Sequence, residues 1–240
     1  MSLKILFVEE IIRAAVEKKP GATIKVMDLG CGTAVYMPTI LKKFPMVEYV
    51  GVEPIEPSYN DALKNLAGIP NVRVHLQLGY DEVAGETKAS FDLVFSQSVL
   101  EHVRQLRAFL ALGAQYVTPG GVMVHRYDLG HSLYPHSLKE RAHVWMGNHF
   151  PKVLPERQFV RYVPEVEVRA LYVELGLRDI YGTYHQMPNH KKLEKQKIAH
   201  LEPVIAELFA WEMKHQAVFK DVPLPTRELL FPSVAVWGVR

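Results

Sequence analysis

The sequence is poor in cysteine, in excess charge of either sign and in long apolar runs. Its single cysteine, Cys31, has no partner for an internal disulfide, which excludes the oxidised scaffold of a small secreted protein. Lys and Arg number 28 against 26 Asp and Glu, so a net charge of +2 makes no whole-chain case for nucleic acid or an anionic membrane. The longest uncharged stretch, Ala108 to Val124, is interrupted by Gln115, Thr118, Pro119, Gly120 and Gly121 and does not read as a membrane span. Glu9, Glu10 and Arg13 break the first apolar stretch and argue against a signal peptide. The remaining composition, 48% hydrophobic and 22% charged over 240 residues, is that of an ordinary folded chain. The expectation is one cytoplasmic globular domain over residues 1–240.

Apolar periodicity places a helix over Phe7, Ile11, Ile12, Ala15 and Val16, stopped by Pro20-Gly21. Strands follow at 24–27, 49–52, 72–78, 91–95 and 122–127, separated by helical patterns at 36–44, 59–66 and 106–117. This alternation predicts a doubly wound, mostly parallel Rossmann-like sheet with helices on both faces. Residues 128–163 show no clean period, and a stretch of that length in a compact domain reads as a lid inserted after the fifth strand. A helix at 164–175 capped by Gly176, a strand at 177–184, a long helix at 193–219 kinked at Pro203 and a last strand at 234–237 complete seven strands.

Chemistry concentrates first in Val26-Met27-Asp28-Leu29-Gly30-Cys31-Gly32-Thr33-Ala34, a glycine-rich turn between a strand and a helix. Glycines there let bare backbone approach a ligand. The third glycine of a G-x-G-x-x-G dinucleotide turn would fall at Val35, so a nicotinamide cofactor is disfavoured. Asp28 ahead of the glycines suits a ligand with a positive centre. Glu53, closing the second strand, can accept both hydroxyls of a ribose.

Together with FDLVFSQSVLEHV (91–103), LGYDEV (78–83) and VTPGGVMV (117–124), these stretches resemble, in order, a class I S-adenosylmethionine-dependent methyltransferase. The resemblance implies S-adenosyl-L-methionine as cofactor, leaving as S-adenosyl-L-homocysteine. It implies that Gly30 and Gly32 line the methionine part, that Asp28 holds the loop and the amine, that Glu53 binds the ribose and that Pro54 lies against the adenine. Ser96 and Gln97 would meet the cofactor at the end of the fourth strand. Ala34 stands at the family's third glycine, and Tyr80 where relatives carry an adenine-contacting Asp, with Asp81 one residue on as a substitute. Tyr36 reads as a contact to the cofactor carboxylate or as a core aromatic. His102 reads as a support of the crevice, and Cys31 as a small packing residue.

The acceptor side falls to the segment after the fifth strand. His125, Asp128 and His131 recur at three-residue spacing there, and five of eleven histidines lie between 125 and 149. These three are the candidate catalytic residues, with His131 or His125 as base. No oxygen-rich cluster suggests a metal. The pattern is similar to bacterial methyltransferases that tailor glycans or secondary metabolites, which implies a small-molecule acceptor, with oxygen the expected methylated atom. The balanced charge and the lack of a long basic run or membrane span lead to the expectation of no nucleic acid or membrane partner, and a monomer or homodimer is expected. A non-catalytic member of the same fold is the rival, and the absence of an N-P-P-Y tetrapeptide after FDLVF speaks against a nucleic-acid methyltransferase.

Overall fold

A computed structural model of the chain describes residues 3–78, 80–133, 137–150, 159–186 and 201–240, apart from the side chain of His131. Its centre is a seven-stranded sheet in the order β3-β2-β1-β4-β5-β7-β6. The strands are β1 (Ile24–Leu29), β2 (Val47–Glu53), β3 (Val72–Leu76), β4 (Phe91–Gln97), β5 (Val117–Asp128), β6 (Arg178–His185) and β7 (Ser233–Val239). β7 runs antiparallel to both of its neighbours, and the other pairings are parallel. Parallel neighbours need crossovers, and the helices that supply them cover both faces.

One face is covered by α1 (Leu3–Lys18), α2 (Met37–Lys43), α3 (Glu56–Asn65) and α8 (Glu202–Lys214). α1 is helical because Phe7, Val8, Ile11, Ile12 and Ala15 form one buried stripe. The opposite face is covered by α4 (Leu106–Tyr116), α7 (Glu165–Glu174) and α9 (Gln216–Asp221), through Phe109, Leu110, Val168, Tyr172 and Phe219. Two short helices, α5 (Gly130–Leu133) and α6 (Leu138–His149), follow β5, and α10 (Leu224–Leu230) precedes β7.

Three expectations shift in detail. The third strand ends at Leu76 rather than Leu78. Thr118 to Gly121 belong to β5 itself, where the register against β4 slips between Phe91 and Leu93 and the extra residues bulge. Pro203 does not kink the helix it was placed in. It stands in the first turn of α8, where its missing N–H costs nothing, and the break comes at His215, between α8 and α9. Residues 193–200, the start of that expected helix, lie outside the described residues.

Candidate functional site

The strand order reverses between β1 and β4, and the carboxyl ends there open a crevice of the kind α/β sheets use for ligands. Its floor is the turn after β1. Gly30 N–H and Cys31 N–H both donate to the Val52 carbonyl, at 2.7 and 3.1 Å, which folds the turn back over β2. Gly30 has φ +82°, and a Cβ there would stand 2.7 Å from Val99 of the loop after β4. Gly32 has φ +59° and faces open space, with no atom within 4 Å of a notional Cβ. Ala34 also takes a left-handed φ of 48°, so the family's third glycine is replaced at some conformational cost.

Glu53 joins this turn. Its Oε2 accepts from Gly32 N–H at 2.9 Å and its Oε1 from Ile55 N–H at 3.0 Å. A carboxylate offers about four lone-pair sites, so both oxygens keep capacity for a diol. Burial raises the Glu53 pKa and the two amides oppose that shift. Asp28 is fully buried, accepts from the Tyr49 hydroxyl at 2.9 Å, and burial pushes its pKa up to about 7. Cys31 is buried, its thiol pKa driven upward chiefly by burial, and Gly51 leaves room for its sulfur. It packs, as expected.

The other expected cofactor residues spread along the same edge. Tyr36 stands at the start of α2, packs against the core and lies within electrostatic reach of Asp28 and Arg126. Pro54 is exposed beside Glu53. Tyr80 turns its ring onto the core, and its hydroxyl accepts from Arg104 N–H at 3.3 Å, while Asp81 is exposed. Ser96 is fully buried, and the Oε1 of Gln97 is buried without a hydrogen-bond partner among the described residues.

The acceptor candidates separate. His125 points away from the crevice into the core between Phe109 and Tyr172, hydrogen-bonded to Ser96 Oγ at 2.7 Å. It has no exposed surface, and burial pulls its pKa down to about 3, so its expected role as a base facing the acceptor is corrected to that of a neutral core residue. Asp128 is buried too, and its Oδ1 accepts from Gly130 N–H at 2.7 Å, capping the turn into α5. It is thus a local cap rather than a free carboxylate. The side chain of His131, on α5, lies outside the described residues. Among the described residues no cluster of three or more His, Cys, Asp or Glu could hold a metal ion.

Sequence reasoning passed over Glu101, although an acid between Leu100 and Val103 was a signal. Its Oε1 accepts from Asp128 N–H at 3.3 Å, its backbone carbonyl accepts from Arg161 N–H at 3.0 Å, and its Oε2 has no partner among the described residues. Beside it His102 Nδ1–H donates to the Phe159 carbonyl at 2.9 Å. The turn at 100–102 therefore ties both ends of the 128–163 segment to β4. Arg126 was missed as well, though a cation among buried strand residues marks it. It is 1% exposed, lies over Phe7 of α1 and donates to Gln186 Oε1 at 3.1 Å.

Comparison with known proteins agrees with this geometry. A family model described as "Methyltransferase domain" matches residues 27–123. The chain is 26% identical over 122 residues to the mitochondrial ubiquinone biosynthesis O-methyltransferase of Homo sapiens, covering 48% of this chain and 32% of that one. It is 30% identical over 168 residues to the ubiquinone biosynthesis O-methyltransferase of Agrobacterium fabrum, covering 69% and 64%. The chain thus spans less than two thirds of the length of these relatives. A solved SAM-dependent methyltransferase from Archaeoglobus fulgidus superposes with a TM-score of 0.58 at 18% identity, covering 98% of this chain and 94% of that one, and so shares the fold. Residues 27–123, from β1 into β5, match a methyltransferase domain, and the strand order and the glycine turn agree with the class I S-adenosylmethionine-dependent methyltransferase family.

Proposed function

We propose that the chain binds S-adenosylmethionine in the β1–β4 crevice and methylates a small molecule, at an oxygen of a glycan or secondary-metabolite intermediate. The observation that carries this reading is Glu53, fixed by two backbone amides beside Gly32, where backbone without a side chain borders open space. The residues present fit the cofactor. Glu53 takes the ribose diol, Gly30 and Gly32 the methionine chain, and Asp28 its ammonium, with Pro54, Tyr80 and Asp81 around the adenine and Ser96 and Gln97 along the β4 end. When bound, the cofactor supplies an electrophilic methyl on a sulfonium, attacked in line by the acceptor.

What the protein adds is alignment and exclusion of water. Segment 128–163 serves as the lid, clasped at both feet by Glu101 and His102. Asp128 positions the turn that carries His131, and His131 takes the acceptor's proton. The oxygen acceptor is supported by the relatives named as O-methyltransferases.

Calorimetry with S-adenosylhomocysteine tests the cofactor site. Wild-type protein binds it, and Glu53→Ala weakens binding by about 3 kcal/mol, roughly a hundredfold, through loss of two charge-assisted hydrogen bonds. Absence of binding to the wild type, or equal binding by the variant, overturns the reading.

A further inference from the structure

The sheet carries a second cavity, at the edge opposite the crevice. It measures about 320 Å³ and lies between the last turns of α1 and the amino ends of β4 and β5. Its floor is one register row across three strands, Leu93 of β4, Val122 of β5 and Val239 of β7. Its roof is the face of α1 formed by Ile11, Ala14, Ala15 and Lys18, spaced i, i+3, i+4 and i+7. Helix and sheet layers sit roughly 10 Å apart, a gap that large side chains normally fill. Here the roof offers two alanines, and the gap stays open.

The chemistry of the walls is uneven. Trp237 and Tyr181 line one side with their rings nearly parallel, 6° apart and 5.7 Å between centroids, and the Trp237 indole N–H is already satisfied by Thr183. The charged rim sorts into pairs: Lys19 binds Asp92, and Glu10 binds Arg13. Lys18 is left exposed, with no ion pair among the described residues. An apolar slot with an aromatic wall and one unmatched ammonium at its mouth suits a flat apolar body with a single negative end.

We propose that this cavity is a second ligand site, for a small aromatic carboxylate whose ring lies between the α1 alanines and the Leu93–Val122–Val239 row and whose carboxylate meets Lys18. The site is independent of the methyl-donor crevice, from which the thickness of the sheet's length separates it. A planar ring is held between helix and sheet with its edge against the Trp237–Tyr181 pair, and the carboxylate is held at the rim, where it stays partly hydrated.

The test is titration of the full chain with 2-naphthoate, followed by tryptophan fluorescence and calorimetry. Saturable one-to-one binding is expected in the wild type. Lys18→Glu, a substitution on an exposed helix end, weakens it about tenfold or more by replacing attraction with repulsion. Ala14→Phe fills the slot and removes binding, while both variants bind S-adenosylhomocysteine as the wild type does. No saturable binding by the wild type at millimolar 2-naphthoate, or binding that survives either variant, overturns the proposal. Octanoate binding as tightly as 2-naphthoate overturns the aromatic assignment.

Discussion

At the scale of single residues, burial rather than residue type sets the chemistry. Asp28 and His125 are both fully enclosed, and desolvation opposes the charged form of each, raising the acid to about 7 and lowering the imidazole to about 3. For Asp28 the folded pKa stands above the unfolded value of 3.8, so the folded state binds more protons between the two. Its contribution to stability is therefore present below about pH 4, is lost as pH rises toward about 7, and is level beyond. A cationic ligand beside Asp28 has the opposite preference, because it favours the carboxylate. Affinity for S-adenosylmethionine is expected to rise roughly tenfold between about pH 6 and 7.5, and Asp28→Asn to flatten that rise. Calorimetry across this range decides it, and a flat wild-type profile removes Asp28 from the amine site. Asp28 and Glu53 could be picked from the sequence because turn chemistry and strand-end position are local. The fate of His125 could not, since it depends on what packs over β5.

At the scale of elements, the turn after β1 uses its two glycines for different ends. Gly30 is confined by Val99 and by its positive φ, whereas Gly32 is confined by φ alone and borders space. Gly30→Ala is expected to cost about 1–3 kcal/mol in backbone strain and contact, lowering the melting temperature by roughly 3–8 °C. Gly32→Ala should lower it less, yet weaken S-adenosylhomocysteine binding more, because its new methyl enters the ligand's space. Thermal melts and calorimetry on the pair separate the two, and the same ranking in both measurements contradicts the assignment. The helix and strand succession was legible from apolar period, down to the Gly176 stop after α7. The failure at Pro203 is instructive. A proline marks a helix start as readily as a kink, and period alone does not say which. The clasp at 100–102 was also hidden, since its partners Asp128, Phe159 and Arg161 lie 27 to 60 residues away in sequence.

At the scale of the whole molecule, the two proposed ligand sites, on opposite edges of one sheet, would stabilise the same folded state. A ligand at a hundred times its dissociation constant adds about 2.7 kcal/mol. Saturating S-adenosylhomocysteine is expected to raise the melting temperature by about 5–10 °C for a chain of this size, read by calorimetric scanning. An unchanged melting point would show that the crevice does not hold it. By itself the sequence determined the alternation of strands and helices, the bare turn at 30–32 and the acid at 53, because these rest on periodicity, on φ > 0 and on spacing between neighbours. It also implied that positions 125 and 126 point to opposite faces of β5. Only the tertiary structure decided which face was sealed: α4 and α7 close over His125, while Arg126 lies under α1. Such burial is a sum over distant segments packed together, and no local pattern encodes it.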